Sequence, residues 1–111
     1  VALKKKINAL NRKNKIIHAY GASTKGNILL QYSKITKNDI DFAADRNETK
    51  WDRKMPGTNI PIISESKSRS MRPDYYLVLP WHFKKEFIIR EKQFAKKGGK
   101  FIFPLPNIKI I

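Results

Sequence analysis

Residues 15–33 read KIIHAYGASTKGNILLQYS and predict a strand, a glycine-containing turn and a helix in direct succession. The run over residues 15–20 is short, mainly apolar and closed by Gly21, which is typical of a buried strand. Residues 25–33 then carry their apolar side chains at helical spacing, namely Ile28, Leu29 and Tyr32. A strand that leads directly into a helix is the repeating unit of α/β folds.

The rest of the chain continues this alternation. Strands are predicted at residues 40–44, 75–79 and 101–103, with 108–111 as a candidate fifth strand, and further helices at residues 3–10 and 83–95. Residues 46–72 are predicted to be mostly loop, with an extended segment at 60–63. The strands are continuous apolar runs, as in parallel strands buried on both faces. We therefore predict an α/β fold: a small Rossmann-like, three-layer domain with a mainly parallel sheet of four to five strands, formed by residues 1–111 as a single domain.

The charge of the chain is strongly positive, with 24 Lys and Arg residues against 9 Asp and Glu residues, or +15. Such an excess attracts polyanions, which makes nucleic acid a candidate partner. The basic residues are spread along the chain, however, and the sequence lacks the aromatic motif of an RRM, a GXXG clamp and C2H2 spacing. A solvated basic surface is therefore favoured over a nucleic-acid-binding face.

The chain has no cysteine, which excludes disulfides and thiolate zinc sites and suits a reducing, cytoplasmic location. No apolar run approaches the roughly 20 residues that a membrane-spanning helix needs, so we expect no membrane partner. The first residues are too rich in lysine for a signal peptide, and there is no initiator methionine. We therefore expect the chain to be part of a longer protein.

The turn at residues 21–27 (GASTKGN) is the first candidate site. A turn of this kind leaves backbone N–H groups of the helix N-terminus pointing at one spot, where the helix dipole favours an anion. Gly21 permits the tight turn, and Gly26 permits close packing of the helix on the sheet. Ser23, Thr24 and Lys25 add donors and one positive charge. The sequence is neither a complete G-x-G-x-x-G nor a Walker A motif, so a plain turn with small residues for packing remains the alternative.

Asp45 ends the second predicted strand, near the ~20-residue offset at which dinucleotide-binding folds place the acid that contacts a ribose. A turn that caps the strand is the alternative interpretation of Asp45. His18 and His82 are the only histidines, and neither has the spacing of a metal ligand. We predict that His18 is a hydrogen-bonded core residue, and that His82 either contacts a ligand or begins a helix. The sequence predicts no catalytic residue and no metal site.

Five motifs, in the right order, resemble one family. They are residues 20–27 (YGASxKGN), 45–47 (DRN), 56–62 (PGTxIPI), 73–81 (PDYxLxLPW) and 98–106 (GGKFIxPxP). Together they cover nearly the whole chain and are similar to the C-terminal domain of sugar C-methyltransferases that depend on S-adenosylmethionine (SAM). These enzymes methylate a carbon atom of nucleotide-linked deoxysugars.

The resemblance implies a division of labour in the parent protein. An N-terminal domain would bind zinc, a central catalytic domain would hold SAM and the catalytic base, and the C-terminal domain would help to bind the nucleotide part of a dTDP-sugar-like substrate. The implied nucleotide-sugar-binding residues are Gly21, Ala22, Ser23, Lys25, Gly26, Asn27, Asp45, Pro56, Gly57, Thr58, Trp81 and His82. The sequence departs from the family at His82, where asparagine is usual.

We therefore expect a nucleotide-sugar-binding domain of a sugar C-methyltransferase involved in deoxysugar biosynthesis. The domain would contain no cofactor of its own, would contact its own catalytic domain, and would transfer no methyl group in isolation. Two alternatives remain open: a basic module that binds nucleic acid, and a structural domain that packs on the catalytic core without touching a ligand.

Overall fold

The structure, a computed structural model, describes residues 2–81, 84–105 and 108–111. The helices in this part of the chain are α1 (Ala2–Arg12), α2 (Thr24–Tyr32), α3 (Glu65–Ser70), α4 (Lys84–Arg90) and α5 (Lys92–Lys96). The strands are β1 (Ile17–Tyr20), β2 (Phe42–Asp45), β3 (Ile62–Ser64), β4 (Tyr75–Val78), β5 (Lys100–Phe103) and β6 (Lys109–Ile110). A short 3-10 helix covers Glu48–Lys50. None of the described helices is long and apolar enough to cross a bilayer.

The strands form one mixed sheet with the order β3-β2-β1-β4-β5-β6. The first five strands pair in parallel, and β6 runs antiparallel to β5. The chain builds outward from β1 to β3 and then returns to place β4 on the other side of β1. The order of the strands therefore reverses between β1 and β4, and a crevice at such a point is where open α/β sheets bind their ligands.

Helices cover both faces of the sheet, so the structure has three layers. On one face, aliphatic side chains of α1 and α2, such as Ile7 and Leu30, pack on β-strand residues such as Ala19 and Leu77. On the other face, aromatic side chains of the strands pack against Phe87 of α4. Below, these are called the α2 face and the α4 face. The strands β1, β2, β4 and β5 thus contribute to two buried cores, which explains their largely apolar sequences.

The α/β class and the mainly parallel sheet agree with the prediction, but the details of the segment at 46–72 do not. The sheet has six strands among the described residues rather than four or five, because the extended segment at 60–63 ends in β3, which pairs with β2. The helix α3 was missed because its sequence, ESKSRS, has no apolar periodicity. Only Ser68 of this helix is buried.

The helix predicted at residues 83–95 is divided into α4 and α5, since the backbone of Glu91 leaves the helical conformation. The side chain of Glu91 is buried and forms a bidentate pair with Arg69 of α3, with distances of 2.9 and 2.5 Å. Burial of an ionised carboxylate without a partner costs much free energy, so Glu91 needs this pair with Arg69. The break between α4 and α5 lies at Glu91, the residue that joins α3 to the α4 face.

Candidate functional site

The turn after β1 lies at the carboxyl edge of the sheet, beside the reversal in strand order. Gly21 has a φ of +90°, a conformation that favours glycine, and its N–H donates to the carbonyl of Ala44 at 2.7 Å. A Cβ atom at Gly21 would lie 3.0 Å from the ring of Pro80. The predicted role of Gly21 in a tight turn is confirmed.

The helix α2 begins against the sheet itself. Ser23 is its N-cap and accepts a hydrogen bond from the N–H of Gly26 at 3.0 Å. A Cβ atom on Gly26 would lie 2.7 Å from the Cβ of Leu79, which confirms that this glycine allows close packing of helix on strand. In the described part of the chain, no acceptor pairs with the backbone N–H groups of Thr24 and Lys25. These two donors lie next to the exposed side chain of Lys25, an arrangement that favours an anion.

The carboxylate of Asp45 lies next to this turn and supports it. One oxygen accepts from the N–H of Ala22 at 2.7 Å, and the other accepts from the N–H of Asn47 at 2.8 Å. The ammonium group of Lys50 lies 3.9 Å from the same carboxylate and 3.2 Å from the carbonyl of Ala22. Asp45 therefore caps its strand and holds the turn in place, as the alternative interpretation proposed. Whether it also contacts a ribose stays a prediction.

The motif at residues 56–58 lies against α2 rather than forming a separate site. The amide nitrogen of Asn27 donates to the carbonyl of Pro56 at 2.8 Å, and the hydroxyl of buried Thr58 lies 3.4 Å from the amide oxygen of Asn27. Gly57 has a φ of +79°, and a Cβ atom there would lie 2.7 Å from Gln31. The loop thus packs along the first two turns of the helix.

Trp81 follows β4 and lines a shallow cavity beside α2. The volume of this cavity is about 390 Å³, and its other lining residues are Lys25, Ile28, Leu29 and Tyr32. His82 lies outside the described residues. The eleven other predicted site residues are therefore grouped around the start of α2. The side chains of Ser23, Asn27 and Asp45 nevertheless use polar atoms to bind the protein's own backbone, at Gly26, Pro56, Ala22 and Asn47.

Lys50 is a site residue that the sequence did not single out. It belongs to a segment predicted as loop. The 3-10 helix Glu48–Lys50 reverses the direction of this segment, so the side chain of Lys50 reaches the turn after β1. Trp51 stabilises this arrangement, because its indole N–H donates to the carbonyl of Asp45 at 2.7 Å. No spacing rule in the sequence connects Lys50 with Gly21.

A buried polar network lies on the α4 face, which the sequence also did not predict. The hydroxyl of Ser68 in α3 lies 2.7 Å from Nδ1 of His18 and 2.7 Å from the hydroxyl of Tyr76. Burial lowers the pKa of His18 from 6.5 to about 4, although the nearby carboxylate of Asp41 opposes the shift. His18 is therefore neutral at pH 7 and is the hydrogen-bonded core residue that was expected. Burial raises the pKa of Tyr76, so its hydroxyl is neutral as well.

Glu65, at the start of α3, joins this face to the carboxyl edge of the sheet. It accepts hydrogen bonds from the hydroxyl of Tyr20 and from Arg90, the latter at 2.7 Å. Arg69 lies 3.5 Å from its other oxygen. Burial raises the pKa of Glu65, and the charge of Arg69 partly offsets this effect. The two arginines hold the carboxylate of Glu65, and this carboxylate in turn holds the hydroxyl of Tyr20, the residue that immediately precedes the turn.

Comparison with known proteins identifies the family. Residues 2–106 match the sequence profile of a family described as the C-methyltransferase C-terminal domain. The chain is also 39% identical over 97 residues to the C-methyltransferase NovU of Streptomyces niveus. The aligned region covers 87% of this chain but 23% of that relative, so the chain spans about a quarter of the relative's length. Since the profile matches nearly every residue, this chain belongs to the family of C-methyltransferase C-terminal domains.

Proposed function

We propose that this chain binds the nucleotide part of a nucleotide-sugar substrate for a SAM-dependent sugar C-methyltransferase. The observation that carries this proposal is the pair of backbone N–H groups at Thr24 and Lys25, which lack an acceptor within the described residues. They lie at the N-terminus of α2, whose dipole favours an anion. Lys25 and Lys50 add positive charge on either side. A diphosphate at the turn would meet the two N–H groups and the charge of Lys25.

The topology supports the same function. The five parallel strands have the order β3-β2-β1-β4-β5. The first five strands of the Rossmann fold have the same order, which reverses between strands 1 and 4. The turn after β1 is the place where that fold binds phosphate groups. We therefore class the domain as Rossmann-like.

Methyl transfer would belong to a different part of the protein. The relative NovU is named a C-methyltransferase, and this chain aligns with 23% of its length. We propose that SAM and the catalytic base lie in a catalytic domain of the same polypeptide, which works in the cytoplasm. Incubation of this chain alone with labelled SAM and a dTDP-keto-sugar should then leave product at background, and turnover would refute this division.

A structural role is the second candidate, and one observation favours it. The polar side chains of Ser23, Asn27 and Asp45 all hold the protein's own backbone. A domain that served only to pack on a catalytic core could use these residues in the same way. The structural role leaves the exposed Lys25 and the two open N–H groups of the turn without a ligand.

Titration of the chain with dTDP distinguishes these functions. We expect Lys25→Ala to weaken binding about fivefold, the effect of one exposed charge, and Lys15→Ala to leave it unchanged. Lys15 is a matched control because it is exposed and precedes β1, at the opposite edge of the sheet.

The titration also includes a single-stranded oligonucleotide at low and high salt. We expect its binding to be weak and to disappear as salt rises, because release of counterions drives it. If dTDP does not bind, or if both lysine variants weaken it equally, the nucleotide-binding function is wrong. Equal loss with both variants would indicate a nonspecific attraction to the basic surface.

A further inference from the structure

The outer side of α2 is apolar where a surface helix normally carries polar residues. Its inner side packs in the core through Gly26 and Leu30. The outer side nevertheless exposes Ile28 and Tyr32, whose exposed fractions are 61% and 69%. A helix that is apolar on both sides usually has something bound on the second one. Trp81 faces this side and completes the cavity described above.

The opposite side of the turn, towards β2, is already filled. Lys50 reaches the carbonyl of Ala22, and the indole of Trp51 is hydrogen-bonded to the carbonyl of Asp45. Both oxygens of Asp45 accept backbone N–H groups. Among the described residues, a ligand whose phosphates lie at the turn therefore finds its nearest cavity on the β4 side, lined by Trp81, rather than on the β2 side.

The cavity has the chemistry of a surface for a flat aromatic ring. Its lining is almost entirely apolar, and Lys25 is the one charged residue among those that line it. A sugar ring would present a smaller and less planar apolar face to this surface than a nucleobase does. A nucleobase would instead present a π-face to Tyr32 or Trp81 and keep its polar edge in water. The rise along α2 from Lys25 to Tyr32 is about 10 Å, the scale of an extended nucleotide.

We propose that this cavity binds the base of the nucleotide, and that the base therefore lies on the β4 side of the turn and not on the Asp45 side. The assignment rests on the proposed function, because the phosphates at Lys25 bring the base within reach. Trp81 and Tyr32 would be the stacking residues, with Ile28 forming the floor. The sugar then extends away from the apolar cavity.

The two tryptophans of the chain allow a direct test, because Trp51 lies on the β2 side and Trp81 on the β4 side. The Trp51→Phe protein reports on Trp81 alone, and the Trp81→Phe protein reports on Trp51 alone. Titration with dTDP should quench the fluorescence of Trp81 and leave that of Trp51 unchanged. Inorganic pyrophosphate, which has no base, should quench neither and should bind about tenfold more weakly than dTDP, a difference of about 1.4 kcal/mol.

A pair of exposed isoleucines provides the matched control. Ile28→Ser should lower the affinity for dTDP about fivefold and leave that for pyrophosphate unchanged. Ile89→Ser should change neither, since Ile89 lies on α4, over the other face of the sheet, and is 75% exposed. Both side chains are exposed, so neither variant threatens the fold.

The possible failures are distinct. Quenching of Trp51 instead of Trp81 would place the base on the Asp45 side and overturn this inference, while the proposed function would stand. Equal binding of dTDP and pyrophosphate without quenching would also overturn it and leave the phosphate site intact. If neither ligand binds, the proposed function itself is wrong, and the base site is wrong with it.

Discussion

The two faces of the sheet differ in how their polar groups are used. On the α4 face, polar side chains satisfy one another: His18 pairs with Ser68, and Arg69 pairs with Glu91. On the α2 face, the core is aliphatic, and the polar groups lie at the rim of the sheet, around the start of α2. The N–H group of Lys25 there has no acceptor among the described residues.

On the α4 face the polar side chains form a closed network, in which they pair with one another. At the start of α2, two backbone N–H groups have no acceptor among the described residues, and these are the open donors. No buried side-chain nitrogen or oxygen lacks a hydrogen-bond partner in the described part of the chain. The buried polar side chains of the α4 face in this part of the chain are therefore satisfied within the protein. At the start of α2, open donors lie beside the exposed Lys25, which is why we propose ligand binding at that edge.

The largest expected effect comes from breaking the closed network. Arg69→Met should lower the free energy of unfolding by about 3 kcal/mol, because the carboxylate of Glu91 would remain buried without its partner. Lys67→Met is the matched control: it removes the same charge from the same helix, at an exposed side chain. Its effect should stay within about 0.5 kcal/mol. Urea unfolding measures both, and equal losses would contradict the contrast between the two faces.

The next effect is a dependence on pH that originates at His18. The unfolded chain binds a proton at this residue near pH 6.5, whereas the folded chain does so near pH 4. In that window the unfolded state binds more protons, so the free energy of unfolding falls as the pH is lowered from 7 to 4, by roughly 3 kcal/mol.

Comparison with a His18→Gln variant isolates this contribution. The raised pKa of Glu65 acts in the opposite direction, because it favours the folded state on acidification. That effect is common to both proteins and cancels in the difference between them. Unfolding curves at several pH values should show a flatter dependence for the variant. If both proteins lose stability in parallel between pH 7 and pH 4, His18 does not titrate as described.

A smaller loss of stability is expected on the α2 face. Gly26→Val should lower the free energy of unfolding by about 2 kcal/mol. The added Cβ atom would lie 2.7 Å from the Cβ of Leu79, which is closer than Cβ atoms approach other atoms in proteins. The double variant with Leu79→Gly should lose less than the sum of the two single losses, since glycine lacks both Leu79 atoms that the added side chain would meet, Cβ and Cδ1. Strictly additive losses, measured by urea unfolding, would show that the two residues do not press on each other.

Much of the α2 face could be predicted from the sequence because its determinants are local. A short apolar run, Gly21 and a helical pattern are neighbours in the chain, and the packing role of Gly26 follows from its position in that motif. The α3 helix could not be predicted in this way. Its six residues are polar, and what holds them is the cap at Ser64 and contacts with His18 and Glu91, all of which the fold alone brings together.

In the candidate site too, the residues that could be predicted are those that are neighbours in the chain. The residues of the turn are contiguous, so the sequence predicted them as a group. Lys50 and Tyr32 were missed as members of the site, since the first returns through a 3-10 helix and the second was assigned only to a helical pattern. Asp45 was placed correctly at the end of its strand, but the sequence could not show that its oxygens accept the N–H groups of Ala22 and Asn47.

The central claim is that the open donors at the start of α2 bind a nucleotide. The most direct measurement is a map of the amide chemical shifts of the isotope-labelled chain during titration with dTDP. We expect the largest changes at residues 23–27, with smaller ones at Asp45 and Trp81, and no change at Ser68 or Glu91. Shifts scattered over the lysines of α1 and α5, and unaltered by Lys25→Ala, would contradict the claim and indicate general attraction of anions to a basic surface.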